Sequence, residues 1–152
     1  MQSGSAVGHA VEGNTLEHSK YWAFISYSHA DSAHAEWLHK SIERFRVPRR
    51  LVGRAGRDGP IPRRLFPLFR DQDELAASGS LSEQLQAALH SARTLIVICS
   101  PASAKSRWVE EEIRLYKSLG RTDRILGLVV DGKPNVSAGN GVRRQQGEGP
   151  RR

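Results

Sequence analysis

Thr94-Leu95-Ile96-Val97-Ile98-Cys99 has no polar face. A strand with one side in water alternates apolar and polar residues, so this run belongs in the middle of a sheet covered on both sides. Such sheets are parallel, and parallel neighbours need crossover connections, usually helical. The rest of the chain supplies them. Tyr21 to Tyr27 is a short apolar and aromatic run of strand type. Asp31 then reads as a helix N-cap, and Leu38, Ile42 and Phe45 at i, i+4 and i+7 form one stripe of a helix over about 32–46. Pro48 ends that helix. Leu65 to Phe69 reads as a second strand at an edge, because Pro67 cannot donate to a sheet ladder. Leu81, Leu85 and Leu89 mark a second helix. A third runs through Trp108, Ile113 and Tyr116 to Gly120, and Arg124 to Val130 is a fourth strand.

Strand and helix in strict alternation give βαβ units, and right-handed crossovers place helices on both faces of one parallel sheet. Ligands in such folds bind beyond the carboxyl ends of the strands. The segments that bear on function are therefore 27–31, 70–79, 100–108 and 131–134.

The chain has 152 residues, enough for one domain. Residues 1–20 and 133–152 are Gly-rich and polar and read as disordered ends around a folded unit at 21–132. No apolar run approaches the roughly 18 residues of a spanning helix, and the first twenty residues hold no apolar signal core, so no membrane association is expected. The single cysteine, Cys99, excludes a disulfide framework and fits a reducing cytoplasm.

The net charge is +7, but it is unevenly placed. Residues 44–70 carry nine arginines against Asp58, and the last ten residues carry four against Glu148, so the remainder is net acidic. Basicity confined to one loop and one tail, without interleaved stacking aromatics, argues against specific nucleic-acid binding.

Several chemistries are excluded by pattern. There is no phosphate loop of the GxxxxGK type, and no GxGxxG follows the first strand. His29, His34 and His39 recur at five-residue steps, which scatters them around a helix, and no acid or cysteine clusters with them, so no metal site is expected. Cys99, at a strand end, reads as core rather than nucleophile.

Three stretches carry a family resemblance. Phe24-Ile25-Ser26-Tyr27-Ser28-His29 with Asp31 resembles the first strand and loop of a TIR domain, the Toll/interleukin-1 receptor homology fold. Phe69-Arg70-Asp71-Gln72-Asp73-Glu74-Leu75 through Gly79-Ser80-Leu81 resembles its second strand and BB loop. Val97-Ile98-Cys99-Ser100-Pro101, then Ser106-Arg107-Trp108 and Glu112, resembles its third strand and the S-x-W-x-x-x-E stretch after it. The wording of these motifs is bacterial in type. The resemblance implies a flavodoxin-like three-layer α/β fold whose visible strands take the order 2-1-3-4. The family's fifth strand and closing helix are not evident after residue 132, which would leave the fourth strand as an uncovered apolar edge.

The resemblance also implies an activity. Many TIR domains cleave NAD⁺ at the nicotinamide glycosidic bond, with NAD⁺ as substrate and no added cofactor, and related bacterial systems use this in antiphage defence. The matching carboxylate is Glu112, one helical turn after Trp108 on the same face. Glu110 has Arg114 at i+4 and Glu111 has it at i+3, whereas Glu112 meets only Leu115 and Tyr116 at those offsets. Glu112 therefore falls on the apolar side of the helix, although three successive glutamates are also what a solvated face looks like. Trp108 fits either the core or the border of a pocket. Tyr27, Ser28 and His29 are implied contacts to the substrate's ribose, though Ser28-His29 stands where many active relatives carry a basic residue. Arg70, Asp71, Glu74 and Gly79 belong to the implied BB loop, either a solvated loop or a flap that docks into a neighbouring TIR domain. Two functions follow: an NAD⁺ nucleosidase switched on by homotypic TIR assembly, or a signalling module acting through protein contact alone.

Overall fold

The computed structural model describes residues 16, 19–70 and 82–133. Its centre is a parallel sheet of four strands, β1 (Tyr21–Ser26), β4 (Leu68–Arg70), β5 (Ala92–Cys99) and β6 (Ile125–Val129). Their order across the sheet is β4-β1-β5-β6, and every neighbouring pair is parallel. The doubly apolar run is indeed interior, since β5 pairs with β1 on one side and β6 on the other.

Three helices cover the two faces: α1 (Ser32–Arg44), α2 (Glu83–His90) and α3 (Arg107–Ser118). Phe24, Leu95 and Val97 point to one face and pack with Leu85 and Leu89 of α2 and Val109 and Tyr116 of α3. Ala23, Ile25 and Ile98 point to the other, where Ala35 of α1 meets them and Leu38 and Ile42 pack alongside. The apolar positions of β1 and β5 thus split between two cores by the two-residue period of a strand.

Two expected boundaries shift for identifiable reasons. The second strand starts at Leu68 rather than Leu65, and Pro67 stays outside it, using only its carbonyl to accept from the Trp22 amide at 2.8 Å. Helix α1 stops at Arg44, and Phe45, whose backbone is already extended, lies 51% exposed instead of completing the apolar stripe. After β5 the chain makes a 3₁₀ turn (Ser103–Lys105), and α3 runs from Arg107 through Trp108, Ile113 and Tyr116 as expected, with the Ser106 hydroxyl accepting from the Val109 amide. Gly120 ends α3 at φ +72°, the left-handed cap position that suits glycine.

The arginine-rich loop is more ordered than a plain surface connection. It contains a short hairpin, β2 (Ala55–Gly56) with β3 (Gly59–Pro60). Arg57 and Asp58 at its turn pair with Asp123 and Arg124, just ahead of β6, so the loop reaches to the opposite edge of the sheet. At that edge Leu126 and Val129 are exposed, and among the described residues no strand pairs with the free side of β6.

Candidate active site

The site is built at the carboxyl end of β1. Phe24 and Ser26 share a strand face, the one that α2 and α3 cover, and Ser26 is almost completely buried beside Val97 of β5. Helix α3 presents Trp108, Glu112 and Tyr116 at four-residue steps, one stripe along its buried side. Tyr116 fills the core at 0% exposure and donates its hydroxyl to the Ala92 carbonyl at 3.2 Å. Trp108, half-buried, packs against the same cluster. Between them Glu112 is only 6% exposed, and its Oε2 accepts a hydrogen bond from the Ser26 hydroxyl.

The three successive glutamates therefore separate as their offsets imply. Glu110 is exposed and pairs with Arg114 at 2.6 Å, a solvated i, i+4 bridge. Glu112 turns inward to the sheet. A buried carboxylate held by a hydroxyl, at the end of a parallel strand where ligands bind, can stabilise positive charge or accept from a ribose hydroxyl.

The loop after β1 divides its residues differently. Tyr27 is half-buried and packs with Ile25 and Ile98 on the α1 side, the opposite face of the sheet from Glu112. Ser28 is buried and donates to Asp31 Oδ2 at 2.8 Å, while His29 is exposed. Arg70 is the last residue of β4, in register with Ile25. Its charge reaches Glu36 of α1, whose carboxyl is held below the usual range mainly by Lys40 and further by Arg70. Asp71, Glu74 and Gly79 lie outside the described residues.

Asp31 occupies the N-cap position of α1 but makes no capping bond with its side chain, a bond commonly worth about 1 kcal/mol. It is instead 6% exposed, with Oδ2 accepting from both Ser28 and the Ser100 hydroxyl, the latter at 2.6 Å. Reading Asp31 as a cap placed the residue correctly and its side chain wrongly. Ser26 and Ser100 stand inside the family-like stretches, but the sequence assigned neither a role at the site. The two-residue period from Phe24 carries a signal for Ser26, a hydroxyl on an otherwise apolar inner face. No sequence signal foretells Ser100, which meets Asp31 only through the fold.

Cys99 is half-buried, and burial pushes its thiol above the ordinary value, the wrong direction for a nucleophile. It lines a cavity of about 550 Å³ between α3 and β6, with Val97, Val109, Ile113 and Val129. Val109 lies one turn before Glu112 on α3 and Val97 pairs with Ser26, so this cavity adjoins the Glu112 site. Among the described residues no three or more of His, Cys, Asp and Glu could hold a metal ion. His39 instead sits 3.0 Å from Glu43 along α1. No described helix is long and apolar enough to cross a membrane.

A family defined as the TIR-like domain of Thoeris protein ThsB matches residues 24–135, from the middle of β1 to beyond β6. The chain belongs to the TIR-like domain family. This TIR domain is also 37% identical over 115 residues to an Actinoplanes sp. protein named NAD(+) hydrolase ApTIR. The aligned stretch is 75% of this chain but only 14% of that relative. The four-stranded parallel sheet with helices on both faces is the flavodoxin-like arrangement expected of a TIR domain.

Proposed function

We propose that this TIR domain hydrolyses NAD⁺ at the bond between nicotinamide and ribose, with Glu112 as the key carboxylate. The observation that carries the reading is Glu112 itself, buried against Ser26 at the carboxyl end of β1 in a chain similar to a named NAD(+) hydrolase. Nicotinamide leaves from a ring that is already cationic. When the C1′–N bond breaks, the electron pair goes to the ring nitrogen and neutral nicotinamide departs, so no general acid is required. What needs help is the oxocarbenium-like ribose left behind. A fixed carboxylate beside it offsets that charge and orients a ribose hydroxyl, and water then adds at C1′ and loses a proton. NAD⁺ is the substrate in this scheme, and no cofactor is required.

Trp108 borders the site on the same helix stripe, and the Ser28-His29 turn after β1 supplies the rim against the adenosine and ribose. Arg70, with Asp71, Glu74 and Gly79 after it, forms the contact through which one TIR domain docks on another. Activity then rises with assembly, in a bacterial cytoplasmic effector of antiphage defence. The decisive experiment is nicotinamide release from NAD⁺ at high protein concentration, for this chain and its Glu112→Ala variant. Release that depends on Glu112 supports the reading, and turnover retained in the variant refutes it.

A second reading is a TIR module that signals by protein contact without turnover. The observation favouring it is the exposed apolar edge at Leu126 and Val129. Absence of release from a folded, concentrated sample would select it.

A further inference from the structure

Ser28, Asp31, Ser100 and Ser103 are all buried, yet they come from two connections that ordinarily run over a protein surface. One follows β1 and the other follows β5, the two central strands. The hydroxyls are arranged in one direction. Ser103 donates its amide to Ser100 Oγ at 3.0 Å, which leaves the Ser100 hydroxyl proton for Asp31 Oδ2 at 2.6 Å. Ser28 donates to the same oxygen at 2.8 Å, and its carbonyl accepts the Asp31 amide at 2.8 Å. The Ser103 hydroxyl closes the β5 side by accepting from the Ser100 amide and donating to the Ser100 carbonyl. A carboxylate that stands at a helix N-cap without capping is thus the joint between two loops.

We propose that Asp31 and Ser100 are positioning residues that hold the β1 loop in a substrate-ready shape. The proposal rests on the reading that the Ser28-His29 turn borders the NAD⁺ site. Neither residue touches the reacting atoms. Each acts through Ser28, whose backbone and hydroxyl are both tied to Asp31. Without this joint the loop would sample several shapes, and only a fraction of molecules would bind substrate well. That fraction lowers apparent affinity and leaves the chemistry of bound substrate unchanged.

The test compares the full chain with Ser100→Ala, Ser100→Thr, Asp31→Ala and the double variant Asp31→Ala/Ser100→Ala, each checked for folding by its melting curve. Two readouts are taken: KM and kcat for NAD⁺ cleavage, and amide hydrogen exchange over residues 27–31. Ser100→Ala is expected to raise KM roughly three- to tenfold, the range one lost hydrogen bond gives, with kcat within about twofold. Exchange over 27–31 should quicken while β1 and β5 stay protected. Ser100→Thr, which keeps the hydroxyl, should restore both readouts. The double variant should be no worse than Asp31→Ala, because the two residues act as one unit. Unchanged KM in folded Ser100→Ala, a fall in kcat alone, or additive effects would overturn the proposal. If the parent chain cleaves no NAD⁺, the proposed activity fails, and hydrogen exchange still decides whether the joint orders the loop.

Discussion

The Ser26 hydroxyl donates to the Glu112 carboxylate across 86 residues of sequence, joining β1 to α3. Both side chains are buried, so each gives the other a hydrogen-bond partner in place of water. Replacing Ser26 by Ala removes the donor and leaves the buried carboxylate with one partner fewer. A stability loss of about 1–3 kcal/mol is expected. NAD⁺ turnover should fall with it at temperatures where the variant is still folded. Urea unfolding and nicotinamide release, measured on the same preparation, check both parts.

Cys99 should be slow toward thiol reagents. Burial raises its thiol above the ordinary value, so the thiolate is scarce near neutral pH. Modification at pH 7 is expected to lag well behind that of the urea-unfolded chain and to quicken as pH rises. Cys99→Ala should retain NAD⁺ cleavage. Reaction with a chromogenic disulfide, native against unfolded, measures the first point, and a turnover assay the second.

Arg124 holds the Asp58 carboxyl below the usual aspartate range through a hydrogen bond and its charge. A depressed folded value means the pair stabilises fully above the unfolded aspartate value of about 3.9 and loses that stabilisation as pH falls below it. Asp58→Asn should therefore cost about 1 kcal/mol at pH 7, and the difference from the parent should shrink toward zero in strong acid. Denaturant midpoints across that pH range test the sign.

Tyr116 and Arg121 share the Ala92 carbonyl, and Arg121 Nη1 also donates to the His90 carbonyl at 2.8 Å. Tyr116→Phe leaves that shared carbonyl with a donor, so a loss of about 1 kcal/mol or less is expected. Arg121→Ala takes a donor from both carbonyls, leaving Ala92 the Tyr116 hydroxyl and the His90 carbonyl without the guanidinium, and should cost about 1–3 kcal/mol. Thermal unfolding of the two variants ranks them.

The parallel sheet was legible because its signals are local, an unbroken apolar run for the interior strand and periodic stripes for the helices. Thr94 to Cys99 could only be an interior strand, and the spacing around Glu112 correctly put it on the inner face of α3 while Glu110 turned to solvent. Features that depend on the partner of a side chain were not legible. Phe45 fits an apolar stripe by count, but the helix ends one residue before it. Asp31 stands at a cap position by every local rule, and only folding brings the Ser100 hydroxyl within its reach. The hairpin at 55–60 left only the Asp58-Gly59 turn pair as a sign in a stretch of Pro, Gly and Arg, and the residues that clasp it, Asp123 and Arg124, lie far along the chain.

That hairpin changes how the chain meets a protease. Residues 44–70 hold nine arginines, each a cleavage point for trypsin in an extended chain. The Arg57-Asp58 turn is clasped to the segment before β6, and cutting there requires the clasp to open first. Arg49 and Arg50 stand exposed in the preceding turn, without such a clasp. A brief digestion should therefore nick the loop at its start before its middle, and the fragments would stay together on the sheet that spans them.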